Sequence, residues 1–178
     1  DGIRRDPVPC AARKRCNRIG MRHPAFKAFL GGHPFEREKR RVCGMKNRPF
    51  VFDSYALLRL FQREKGFEKI AKLLEDIRKR DIARFINAIN VGEIIYITKR
   101  EFGDQKKIEV LANIERMGFT ILPAPDTLIF QAAEYKAIYS ISYADCFVLA
   151  SAVERQATIV TGDPEFKKVG DLVDIYWI

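Results

Sequence analysis

A three-layer α/β/α domain with a central parallel five-stranded sheet is the fold class this sequence predicts, and two observations carry it. Short apolar runs alternate with amphipathic stretches from Phe50 to Trp177, the pattern of βαβ crossovers, which are right-handed and build parallel sheets flanked by helices. The first run, Phe50-Val51-Phe52, is apolar without interruption and breaks at an acid, Asp53. A strand apolar on both faces belongs in the middle of such a sheet.

Taken in order, Phe50 to Phe52 is the first strand. Leu57, Leu58, Leu60 and Phe61 then recur at helical spacing up to Lys65, with Gly66 as the stop. Phe67, Ile70, Leu73, Leu74 and Ile77 form one face of a second helix, and Arg78-Lys79-Arg80 suits its C-terminus. Ile82 to Ile89 reads as the second strand. Asn90, three residues before Glu93 and just ahead of Ile94 to Ile97, marks a helix start. A further helix covers about 105–116 and ends at Gly118, and Phe119 to Leu122 is the third strand. Asp126 is expected to cap a helix running to about Ile138. Ser142-Tyr143-Ala144-Asp145 repeats the start signature before Cys146 to Val153, which is apolar nearly all round and should be the central buried helix. Thr158 to Thr161 is the fourth strand, closed by Gly162-Asp163-Pro164, and Val173 to Trp177 is the fifth.

The length of 178 residues suits one domain with its own core. No apolar run approaches the roughly 20 residues of a membrane span, and the N-terminus lacks the apolar core of a secretory signal. A soluble, cytoplasmic protein is therefore expected. The net charge of +9 is unevenly spread: residues 1–44 hold 12 Lys and Arg against 4 Asp and Glu, whereas residues 45–178 hold 20 against 19. Bulk charge thus says little about the globular part. Residues 1–44 read as a basic, disordered extension, with a non-native leader and an arm touching nucleic acid as alternatives. Cys10, Cys16, Cys43, His23 and His33 lie there, but at spacings that match none of the usual zinc arrangements. Met45 is the expected start of the functional domain, 45–178. Within it Cys146 has no second cysteine to pair with, which fits a reducing compartment.

The functional signal is four acids at one edge. All carboxyl ends of a parallel sheet lie on one side, and helices that follow strands begin there. Asp53 follows the first strand, Asp163 the fourth, and Glu93 and Asp145 stand near helix starts. Singly, each has an ordinary use: Glu93 and Asp145 as capping-box partners, Asp53 and Asp163 as turn residues. Together they would repel and raise one another's pKa, a penalty that a divalent cation removes. An all-oxygen ligand set favours Mg2+ or Mn2+. No histidine follows Met45, so Ser-His, Cys-His and His-ligated zinc chemistry are unavailable to the globular part. Metal-assisted hydrolysis of a phosphodiester by an activated water is the chemistry left.

Phe50-Val51-Phe52-Asp53-Ser54, Asn90-Val91-Gly92-Glu93, Ser142-Tyr143-Ala144-Asp145 and Thr161-Gly162-Asp163-Pro164-Glu165-Phe166 together resemble the PIN domain, and most of all the compact VapC-type ribonuclease toxins. The resemblance covers about Lys46 to Ile178. It implies a sheet ordered 3-2-1-4-5 and a metal-dependent endoribonuclease acting on single-stranded or looped RNA. It also implies a homodimer and inhibition by a small antitoxin protein. By position, Asp53, Glu93 and Asp145 would be the principal catalytic and metal-binding acids, Asp163 would complete the site, and Ser54 and Thr161 would orient carboxylates or waters around it. Arg59, Arg63, Lys65, Lys69, Lys99, Arg100, Lys106 and Lys107 are candidates for the phosphate path, and Tyr55 or Tyr143 for stacking on a base.

Two phosphoryl-transfer classes are disfavoured by missing groups. An aspartyl-nucleophile phosphatase needs a second Asp two positions after the first, where Tyr55 stands. A receiver-type phosphoacceptor needs a lysine after a late strand, where Asp163, Pro164 and Glu165 stand. The alternative from another class is a PIN-like scaffold that binds a partner without nuclease activity.

Overall fold

The computed structural model describes residues 48–178. The expectations for residues 1–44 lie outside the described residues. Strand β1 (Phe50–Phe52) leads into α1 (Ser54–Gln62) and α2 (Phe67–Lys79). β2 (Arg84–Asn87) is followed by the long α3 (Ala88–Arg116), then β3 (Thr120–Leu122) and α4 (Asp126–Ile138). α5 (Tyr143–Arg155), β4 (Thr158–Thr161), a 3-10 turn (Pro164–Val169) and β5 (Ile175–Trp177) complete the fold.

The five strands are all parallel and ordered β3-β2-β1-β4-β5. β1 is central, with Phe52 beside Ile86 of β2 and Val160 of β4. The pleat sends alternate side chains to opposite faces, and the core divides accordingly. Val51 and Ile159 face α4 and α5 in one buried cluster. Phe52, Ile86 and Val160 face α1, α2 and α3 in the other. The layers are thus α4 and α5, sheet, then α1 to α3. α5 is the most deeply set helix, buried from Cys146 through Ala152.

Several boundaries differ from those read in the sequence. β2 begins at Arg84 and ends at Asn87, and Asn87 rather than Asn90 caps α3, its side-chain oxygen accepting from the Ile89 amide at 2.9 Å. Asn90 alone stands three residues before Glu93, but Asn87 lies at the strand end and is the one placed to cap the helix. The two helices expected between Ile94 and Arg116 are both present, as the halves of α3 on either side of a break at Gly103, whose φ of 80° a residue with a Cβ adopts with strain. α1 ends at Arg63, which takes the left-handed conformation, while Gly66 (φ 96°) precedes α2 as its N-cap. Asp126 is the first residue inside α4, and Pro125 is the cap position.

Among the described residues no single helix is long and apolar enough to cross a membrane.

Candidate active site

The chain runs outward from β1 to β2 and β3, then returns to place β4 and β5 on the other side of β1. The reversal falls between β1 and β4, and in open parallel sheets the crevice beyond the carboxyl ends at such a point is where ligands bind. Asp53 and Thr161 stand one step beyond the paired Phe52 and Val160, so they flank that crevice. Both are buried, Asp53 at 1% exposure.

Asp53 is the N-cap of α1. Its Oδ1 accepts from the Ala56 amide at 2.6 Å, and its Oδ2 accepts from the Thr161 hydroxyl. Thr161 Oγ1 in turn accepts from the Asp163 amide at 2.9 Å, linking the two acids that follow β1 and β4. Asp163 caps the 3-10 turn, accepting from the Glu165 amide at 2.8 Å. Asp145 closes a capping box at the start of α5: its amide donates to Ser142 Oγ at 3.0 Å and its carboxylate accepts from the Ser142 amide at 3.3 Å. Three of the four acids therefore perform the local duties that the sequence allowed them.

Glu93 is different. α3 starts at Ala88, so Glu93 lies in its second turn and caps nothing. Its Oε2 accepts instead from the hydroxyl of Ser54, the residue next to Asp53, at 2.5 Å. That hydrogen bond ties α3 to the start of α1.

The electrostatics place the acids in one neighbourhood. Burial pushes the Asp53 carboxyl up to about 7, and the charges of Asp145 and Asp163 add to the rise against the hydrogen bonds from Thr161 and Ala56. Burial likewise raises Asp145 to about 6, with Asp163 and Glu93 contributing. No Lys or Arg among the described residues forms an ion pair with any of the four. A buried carboxylate and its half-buried acidic neighbours, with Asp53 and Asp145 raised by burial and nearby charge and oxygen as the only donor type, fit a hard divalent cation. Among the described residues, however, no three His, Cys, Asp or Glu side chains are already set to hold an ion. Each carboxylate instead accepts its own hydrogen bonds.

Asn90 is a site residue that its reading as a helix cap concealed. It is fully buried, and its Nδ2 donates to Ser54 Oγ at 3.2 Å and, more loosely, to the Ala144 carbonyl at 3.4 Å. The signal available in the sequence was the repeat Asn87-x-x-Asn90-x-x-Glu93, in which only one asparagine can be the cap.

Tyr55 packs on Gly162, where an added Cβ would come within 2.6 Å of its ring, and the Arg59 guanidinium lies 4.5 Å from the ring centre. The Tyr143 ring stands edge-on to Phe147 and is largely exposed. Of the basic candidates, Arg63 and Lys65 are exposed and without an ion pair among the described residues. Arg59, Lys99, Arg100, Lys106 and Lys107 pair with acids, and Lys69 Nζ bonds the Trp177 carbonyl. Burial pushes the Cys146 thiol up to about 11, the behaviour of a packing residue rather than a nucleophile.

A parallel α/β domain with an acid cluster at its switch point is the class that fold and site define. The PIN domain family model matches residues 50–172, and the chain belongs to that family. Solved structures with the same fold include VapBC2 from Rickettsia felis bound to a DNA fragment from its promoter. That structure shares 16% identity at a TM-score of 0.57, covering 71% of this chain and 96% of that one. DNA-bound VapBC from Salmonella typhimurium shares 15% identity at a TM-score of 0.56, covering 72% and 97%. VapC20 of Mycobacterium tuberculosis, a sarcin-ricin loop cleaving toxin, shares 15% identity at a TM-score of 0.57, covering 68% and 95%. No curated protein matches the sequence.

Proposed function

We propose that this protein is a Mg2+- or Mn2+-dependent endoribonuclease that hydrolyses RNA phosphodiesters, acting in the cytoplasm as the toxin of a type II toxin–antitoxin pair. Support for this reading comes from the PIN-family fold and from acids of separate chain segments near the carboxyl edge of its sheet, of which Asp53 and Asp145 feel the charges of the others and have raised pKa values. A small antitoxin protein and a second copy of the chain are the partners that follow from it, in keeping with VapBC complexes among the solved relatives.

Asp53, Glu93 and Asp145 would hold the cation, with Asp163 completing the set. Bound there, Mg2+ or Mn2+ would offset the clustered negative charge and supply the Lewis acidity that hydrolysis of a phosphodiester by water needs. The chain's own part is positioning. Hydrogen bonds at both oxygens fix Asp53, Ser54 holds Glu93, and Asp145 and Asp163 are held by local caps. Arg63 and Lys65, just past the far end of α1 from Asp53 and without an ion pair among the described residues, are candidates for phosphate contacts away from the reacting bond.

The second reading is a PIN scaffold that binds a partner without cutting. Cleavage of total RNA by the full 178-residue chain separates the two. Discrete cuts are expected with Mn2+ or Mg2+, with none in EDTA and a loss of at least about 100-fold in Asp145→Asn. Intact RNA with folded, metal-loaded protein would overturn the nuclease reading.

A further inference from the structure

We infer that Asn90 is a positioning residue that sets Glu93 through Ser54, joining the three segments that carry Asp53, Glu93 and Asp145. The inference rests on the metal-site reading above and deepens it.

The direction of the hydrogen bonds is fixed by chemistry. Ser54 Oγ lies 2.5 Å from Glu93 Oε2, and the only other acceptor it reaches among the described residues is the Asn90 backbone carbonyl at 3.4 Å, so its single proton goes to Glu93. Ser54 Oγ is then left with its lone pairs, and Asn90 Nδ2 fills one of them at 3.2 Å. The result is a relay, Asn90 N–H to Ser54 O–H to Glu93 carboxylate, in which each donor polarises the next. It also fixes the amide of Asn90: with the side chain flipped, an oxygen would face an oxygen whose proton is already given away.

The same Nδ2 reaches the carbonyl of Ala144, the residue before Asp145, at 3.4 Å. One amide group therefore touches the start of α1 beside Asp53 and the start of α5 beside Asp145, from the turn of α3 that precedes Glu93. Asn90 is fully buried, and both contacts that its side chain makes among the described residues are made by the N–H donor side of its amide.

The test is Mn2+ titration by calorimetry, with melting curves on the same samples, for wild type, Asn90→Ala, Ser54→Ala and the double variant. Expected are an affinity about 10-fold weaker in Asn90→Ala and a double variant no weaker than Ser54→Ala alone, because the relay ends at Ser54. If Asn90→Ala does not fold, Asn90→Leu, close in volume but without an N–H donor or a charge, carries the same expectation. Unchanged Mn2+ affinity, or losses that multiply in the double variant, would overturn the relay while leaving the metal reading intact. A wild-type protein that binds no Mn2+ would overturn both.

Discussion

Asp53 joins three properties at one atom group: it caps α1, it is buried, and it stands beside other carboxylates. Its pKa rises from 3.8 to about 7, so between those values the folded state binds a proton that the unfolded chain releases. Stability of the metal-free protein then falls as pH rises through that window. Asp145, raised to about 6, acts in the same direction. Denaturant unfolding in EDTA from pH 4 to pH 8 should show this decline, flattening above about pH 7, with a smaller slope in Asp53→Asn. Stability that rises over the same range would contradict the burial and crowding of these acids. At this scale the sequence pointed to acids at the carboxyl edge of the sheet and was silent about how they are held. Asp53 was legible because a buried strand that stops at an acid is unusual. Asn90 was not, because an asparagine ahead of an Asn-x-x-Glu pattern looks the same whether it caps a helix or lies buried one turn inside it.

Elements deliver these residues with little freedom. The loop after β4 is pressed against α1 at Gly162, where a Cβ would meet the Tyr55 ring at 2.6 Å and Ile178 Cγ1 at 3.1 Å. Gly162→Ala should therefore push Tyr55 off the loop and destabilise the fold by about 1–3 kcal/mol, measurable by urea unfolding. Because Asp163 follows directly, RNA cleavage should fall as well. A fully stable Gly162→Ala protein would show that Tyr55 yields without cost. The start of α5 was readable from the sequence, since Ser142 and Asp145 form both halves of a capping box. The start of α3 was not, because β2 passes into the helix at Asn87 with no glycine or proline between them. Arg63 in the left-handed conformation was equally hidden, since helices usually leave that position to glycine.

The whole molecule explains why the site lies where it does. A parallel sheet collects every carboxyl end on one side, and the order β3-β2-β1-β4-β5 opens its crevice between β1 and β4. Alternating apolar runs and amphipathic helices made the layers legible, and the continuous apolar run of Phe50 to Phe52 made β1 central. Strand order came from the resemblance of four motifs, because periodicity carries no information about which strands are neighbours. If the four acids form a cation site, Mn2+ should raise the melting temperature of the full chain at pH 8, where the site is deprotonated, and much less at pH 5, where protons compete for it. The measurement that bears most directly on the site is that melting shift at pH 8 for wild type beside Asp53→Asn. A rise of several degrees in the wild type that is absent from Asp53→Asn is the predicted result. Equal shifts in the two proteins, or none in either, would contradict a metal centre at the switch point.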